Sequence, residues 1–285
     1  MVPEAEFTSY YGRPIVKPSP WEADIPAYLF AGGLAAGSSL LAAGADLTGR
    51  PALRRAGRLG AITALTFSLG ALVHDLGRPE RLLNMLRTAK LTSPMSVGTW
   101  ILTGYSPFAA LAAGAELAGM LPFGQDSRPL RLLSAVGRPA GLIAAAGAPP
   151  VAAYTAVLLA DTATPSWHEA YRELPFVFVG SAAAASGGLG MLASAVDQAG
   201  PARRMALGGA VVELVMERQM EGSMGITAEP LHLGTAGTLM KAAKALTLGG
   251  AVGSLLASRS RAVAAVSGAA LMAGSACTRF GIFEA

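Results

Sequence analysis

Thiol and imidazole ligands are scarce in this sequence. One cysteine, Cys277, stands among 285 residues, so the chain forms no disulfide within itself and offers no four-thiolate cluster site. The three histidines, His74, His168 and His232, have no third and fourth ligand at helical spacing, which speaks against a metal site. A bis-histidine haem is disfavoured as well, because it needs imidazoles facing each other from within apolar segments, and these three fall at or beyond segment ends. Charge is also sparse: 14% of the residues are charged, against roughly 25% in soluble domains. The net charge of +4 comes from basic loops rather than from a basic stripe with aromatics, so a nucleic-acid partner is not indicated.

What fills the chain is apolar and small. Hydrophobic residues make up 52%, and 35 residues are glycine. This is the composition of transmembrane helices that pack through small residues, where close backbone approach supplies the dispersion contacts that lipid cannot. Met1 to Asp24 contains Glu4, Glu6, Arg13 and Lys17 among several prolines, without the basic, apolar and small-residue order of a signal peptide.

A helix crosses the hydrocarbon layer with about 20 apolar residues. Stretches of that kind, bounded by charge or by proline and glycine, run over 25–46, 57–75, 97–121, 139–160, 175–196, 205–220, 241–258 and 261–280. The sixth is the shortest and ends in Glu213, Glu217 and Arg218. Pro149 and Pro150 inside the fourth predict a kink, with 129–137 lying on the surface before it. The predicted fold is therefore an all-α integral membrane protein of eight transmembrane helices. It divides into an outward N-terminal segment 1–24, a first four-helix bundle 25–160, a connecting loop 161–174 and a second four-helix bundle 175–285.

The short loops after spans one, three, five and seven hold Arg50, Arg54, Arg55 and Arg58, then Arg128, Arg131 and Arg138, then Arg203 and Arg204, then Arg259 and Arg261. These are half of the 22 basic residues, which predicts that the odd loops are cytoplasmic and both termini outward. Residues 25–46 and 174–197 share an order of proline, aromatics, a small-residue run, a leucine-rich end and aspartate. The loops that follow match too, at an offset of about 150 residues, as in a parallel internal repeat. The plainer alternative is that Gly/Ala-rich helices look alike.

Polar groups at membrane depth are costly, which makes each a candidate for function. Most gather on one side. Trp21, Glu22 and Asp24 precede span one; His74, Asp75 and Arg78 follow span two; Asp161, Trp167, His168 and Glu169 follow span four; Tyr154 lies a turn or two below that end. Phenol, imidazole, indole and carboxylate near an interface suit a quinone head group, whose reduction needs donors to two carbonyls and two protons. Alternatively the aromatics are belt anchors and the charges solvated loop residues. Glu116 and Glu213 lie deeper with no obvious adjacent cation, and belong either to a proton path or to snorkelling side chains. Lys241 and Lys244 are read as snorkelling.

The ordered set of Trp21, Tyr28-Leu29-Phe30-Ala31-Gly32-Gly33, Asp75-Leu76-Gly77-Arg78-Pro79, Ser93-Pro94-Met95-Ser96, Tyr154-Thr155 and Arg279-Phe280-Gly281 resembles the NrfD and polysulfide reductase membrane-subunit family. The resemblance implies eight spans in two four-helix bundles. It also implies a menaquinone or ubiquinone pocket near the face that docks an iron–sulfur subunit of a molybdopterin-type or related oxidoreductase, with no haem and no metal in this chain. By motif Tyr154 is the quinone-contacting tyrosine, and the family's polar residue in the first span falls at Glu22 or Asp24. The expected place is the cytoplasmic (inner) membrane of a prokaryote, and the expected role is electron exchange between that partner and quinone. A proton-coupled secondary transporter and a structural anchor without quinone turnover remain as alternatives.

Overall fold

The computed structural model describes residues 19, 21–120 and 127–285, so the N-terminal segment 1–24 lies almost wholly outside the described residues. Regular structure among them is helical throughout. In chain order it comprises α1 (Asp24–Leu47), α2 (Pro51–Asp75), α3 (Arg81–Arg87), α4 (Pro94–Met120), α5 (Arg128–Ala160), α6 (Pro165–His168), α7 (Leu174–Ala193), α8 (Gly200–Met224), a 3-10 helix (Gly225–His232), α9 (Gly234–Leu256) and α10 (Arg261–Phe283). Proline stands in the first two positions of α2, α5, α7 and α8, where its missing N–H costs nothing and its fixed φ is already helical. Between α1 and α2 the chain reverses at Gly49, whose φ of 68° is open to glycine without strain.

Helices α1, α2, α5, α7, α9 and α10 are long and apolar enough to cross a membrane, as expected of a multi-pass membrane protein. Two long helices fall short. α4 is diluted by threonine, serine and glycine, and α8 carries Arg203, Arg204, Glu213, Glu217, Arg218 and Glu221.

The predicted segment bounds need correction in three places. α2 begins at Pro51, so Arg54, Arg55 and Arg58 lie in its first turns instead of a loop. Their charge is held by carboxylates of neighbouring helices. Residues 129–137 belong to α5, which runs on through Pro139, Pro149 and Pro150, instead of forming a separate surface segment. α8 extends beyond 205–220 at both ends, to Gly200–Met224, and α9 starts earlier than 241 and ends at Leu256, as Gly234–Leu256.

Consecutive long helices pack as hairpins, α1 with α2, α4 with α5, α7 with α8 and α9 with α10. In the first half α1 also packs on α5 and α2 on α4; in the second, α7 packs on α10 and α8 on α9. The halves meet mainly through α1 and α7, with α5 and α10 against the same seam. Small residues make these approaches possible. A Cβ on Gly180 would stand 2.6 Å from the backbone nitrogen of Glu213, and one on Gly187 2.5 Å from that of Ala206. α7 and α8 thus touch backbone to backbone, the mode favoured where lipid gives no hydrophobic drive.

The helix ends form two faces. One, the arginine face, holds the α1–α2 and α7–α8 turns and the start of α10. The other, the tryptophan face, holds the start of α1, the end of α2, α3, α6 and the end of α10.

Candidate functional site

On the tryptophan face a cavity opens among α1, α2, α4 and α5. Its polar wall is made by Tyr28, Asp75, Thr99 and Tyr154, with Trp21 at the rim and Leu102 and Leu158 among the apolar lining. Tyr28 lies one turn inside α1 from Asp24, so it points to the same side of that helix at greater depth. Its hydroxyl meets the Tyr154 hydroxyl across the bundle, and both rings are buried, at 3% and 8% exposure. A buried tyrosine needs such a partner for its O–H. Ser68 Oγ donates to the Tyr28 carbonyl at 3.1 Å, tying α2 to the same turn of α1. The Tyr154 ring packs its Cδ2–Cε2 edge against Gly98, where a Cβ would come within 2.5 Å of Cε2.

The cavity is small, about 40 Å³, and its outer wall is Met85 of α3 and Met95 of α4. Thioether chains are flexible and readily repacked, so a flat ring enters by displacing them. Above the rim, Trp21 stacks on Trp167 with centroids 6.2 Å apart and planes 14° from parallel. Trp167 in turn stacks on Phe283 at 5.3 Å and donates its indole N–H to the Ile282 carbonyl at 2.7 Å. The ends of α1, α6 and α10 are thereby locked together above the tyrosine pair.

Of the residues singled out from sequence, Trp21, Asp75 and Tyr154 share this cavity. Asp24 sits at its edge, where a carboxylate oxygen stands 2.7 Å from Nδ1 of the exposed His74. Glu22 is exposed. Arg78 is exposed and does not line the cavity, and His168 is turned away, its Nδ1 bonded to the Ala160 carbonyl at 2.9 Å. The cavity residue that sequence reasoning missed is Tyr28, whose signal was a phenol one helical turn below the polar segment Trp21 to Asp24.

The deep carboxylates also have partners. Glu116 is not an isolated acid: it accepts from Arg54 Nε at 2.5 Å and Arg58 Nη1 at 3.1 Å. Asp46 joins the same cluster through Arg54, Arg58 and Arg138. The cluster binds α1, α2, α4 and α5 at the arginine face. The expectation that Glu116 lacks a cation is corrected, because α2 starts early enough to bring its arginines alongside. Glu213 accepts from Thr278 Oγ1 at 2.7 Å and lies within electrostatic reach of Arg279. Arg279 is fully buried, with its guanidinium 3.6 Å above the Phe178 ring and Nη2 donating to the Phe178 carbonyl. Lys244, read as snorkelling, pairs with Glu221 at 2.8 Å and Glu217 at 3.6 Å.

The family model described as "Polysulphide reductase, NrfD" matches residues 15–205. The chain belongs to the NrfD family. The match covers more than half of the chain, from ahead of α1 into α8, and so includes every wall of the tyrosine cavity. Family membership makes the chain a membrane subunit of a redox complex. Comparison with curated proteins yields no match.

Proposed function

We propose that this chain is the quinone-interacting membrane anchor of a respiratory oxidoreductase, passing electrons between the iron–sulfur subunit of a partner assembly and menaquinone or ubiquinone. Its eight long helices then cross the bilayer as two four-helix bundles, a reading supported by the same ring of helix neighbours in each half. The single observation that carries the function is the buried Tyr28–Tyr154 hydroxyl pair at the base of a cavity that also holds a carboxylate.

The donor set fits a quinone head group. The bonded tyrosine pair leaves one phenol O–H to donate to a carbonyl, Asp75 accepts or returns a proton at the mouth, and Leu102, Leu158 and the methionines cover an apolar ring. A bound quinone supplies two-electron chemistry coupled to two protons. The chain's part is positional. One tyrosine of the pair orients a carbonyl oxygen by donating its O–H while the other holds it in place, and the Trp21–Trp167–Phe283 stack excludes water above them. Neither haem ligands nor a four-thiolate set is supplied by this sequence, so the partner's terminal cluster docks on the tryptophan face, directly over the pocket. The arginine face is then cytoplasmic in the inner membrane of a prokaryote.

Protons for the exchange are assigned to Glu213, Glu217 and Glu221. At four-residue spacing they share one side of α8, with Lys244 at the tryptophan-face end and Thr278 at the buried end.

The test is Tyr154→Phe in the assembled complex. Loss of quinone-linked electron transfer with normal assembly and normal activity toward an artificial electron carrier supports the assignment. Unchanged quinol turnover in membranes overturns it.

A further inference from the structure

A cavity larger than the tyrosine pocket lies elsewhere. It is an apolar groove of about 710 Å³ on the outside of the seam between the halves, walled by Phe30 and Leu34 of α1, Leu59 and Thr63 of α2, Leu189 of α7 and Met272 of α10. Along α2 it extends from Ala52 to Phe67, about 22 Å at 1.5 Å per residue. The apolar lining and this length suit an extended hydrocarbon chain.

One end of the groove is basic. Arg55 is part of its lining, and Ala52 and Ala193 bring it to the arginine-face corner where α2 and α8 begin. There the guanidinium groups of Arg50 and Arg203 converge. A Cβ on Gly200 would lie 3.9 Å from Nη1 of Arg50 and 3.9 Å from Nη2 of Arg203. Arg50 reaches one carbonyl, that of Asp197 at 3.3 Å, while its Nε and the Nη1 of Arg203 are buried without a partner. Among the described residues no carboxylate stands within 4 Å of Arg50 or Arg203. Two like charges with unfilled donors favour an anion between them. The planar fork of arginine matches a phosphate diester, and the N-termini of α2 and α8 add their dipoles in the same corner.

We propose that this groove is a binding site for an anionic phospholipid, its phosphate on Arg50 and Arg203 and one acyl chain laid along α2 toward Phe67. The lipid lies along the seam between the two halves. This site does not depend on quinone chemistry in the tyrosine pocket.

The experiment extracts the intact complex into nanodiscs made with equal parts of phosphatidylglycerol and phosphatidylcholine, strips bulk lipid and identifies the retained lipid by native mass spectrometry. Retention of phosphatidylglycerol exceeds that of phosphatidylcholine by about tenfold or more, the factor given by one charge-assisted hydrogen bond. Arg50→Gln with Arg203→Gln abolishes this preference, and so, in part, does Arg55→Gln on a half-exposed side chain that folding does not need. Thr63→Trp, which fills the groove from an exposed position, lowers retention of both lipids. Equal retention of the two lipids by the unaltered protein, or a preference that survives the arginine substitutions, overturns the proposal. So does full retention in Thr63→Trp.

Discussion

Arg58 and Glu116 form a pair at 3.1 Å with both side chains almost fully buried, 7% and 5% exposed, and they join the second helix to the fourth below the tyrosine pocket. The neighbouring Arg55 reaches the same carboxylate only at 3.9 Å and is half exposed. Two arginines three residues apart therefore have very different weights.

Breaking a buried pair leaves an uncompensated charge, which costs about 3–5 kcal/mol, whereas an exposed pair contributes about 0–1 kcal/mol. Arg58→Ala is expected to lower the thermal stability of the purified subunit sharply, and Arg55→Ala to leave it within about 1 kcal/mol. Melting curves in detergent measure both, and equal effects would count against the burial argument.

Gly98→Ala tests the position of the Tyr154 ring without removing its hydroxyl. The added Cβ would come within 2.5 Å of the ring, so the ring must tilt away from Tyr28. A displacement of this size lowers quinone-linked turnover by about tenfold to a hundredfold while assembly stays normal. Steady-state kinetics in membranes, with complex content fixed by immunoblot, reads the outcome.

Gly208 and Gly209 are adjacent in sequence but differ in surroundings. A Cβ on Gly209 would meet the α7 backbone at Gly180 and Ala184, and one on Gly208 meets nothing within 4 Å. Gly209→Ala is expected to cost about 1–3 kcal/mol through overpacking. Gly208→Ala is neutral or stabilising by up to about 1 kcal/mol through helix propensity. Chemical unfolding of the pair in micelles separates the two effects, and the reverse order would disprove the backbone seam.

Trp167→Phe keeps a ring in the stack but removes the donor to the Ile282 carbonyl. A buried carbonyl left without its partner costs about 1–3 kcal/mol, and the loss falls on the join between α6 and α10. Hydrogen exchange should rise there and stay unchanged at the arginine face.

Much of the helical layout was legible because hydrocarbon imposes length and apolarity on each segment directly. Trp21, Asp75 and Tyr154 were legible as pocket residues because polar groups are rare in such a background. Tyr28 was not, since its meaning rests on a hydroxyl 126 residues away, and nothing in its own neighbourhood marks that partner. Glu116 misled for the same reason: its cations lie on another helix, 58 and 62 positions earlier. The extension of α5 through 129–137 was missed because Arg128, Arg131 and Arg138 read as loop charges, although Arg138 lies within α5 and reaches Asp46 at 3.3 Å.

The dependence of α1 on α7 also bears on how the protein is made. The apolar window of α1 is 83% buried, and part of its cover is α7, which begins at Leu174, well over a hundred residues after α1 ends at Leu47. At a synthesis rate of about 5–20 residues per second, roughly 6 to 25 seconds pass between the two. For that interval the first helices stand in the bilayer with a small-residue flank facing lipid, and insertion factors or quality-control proteases that survey unpaired helices meet the chain in this state. A ribosome stalled before Ala193 therefore releases an orphan half that such proteases remove.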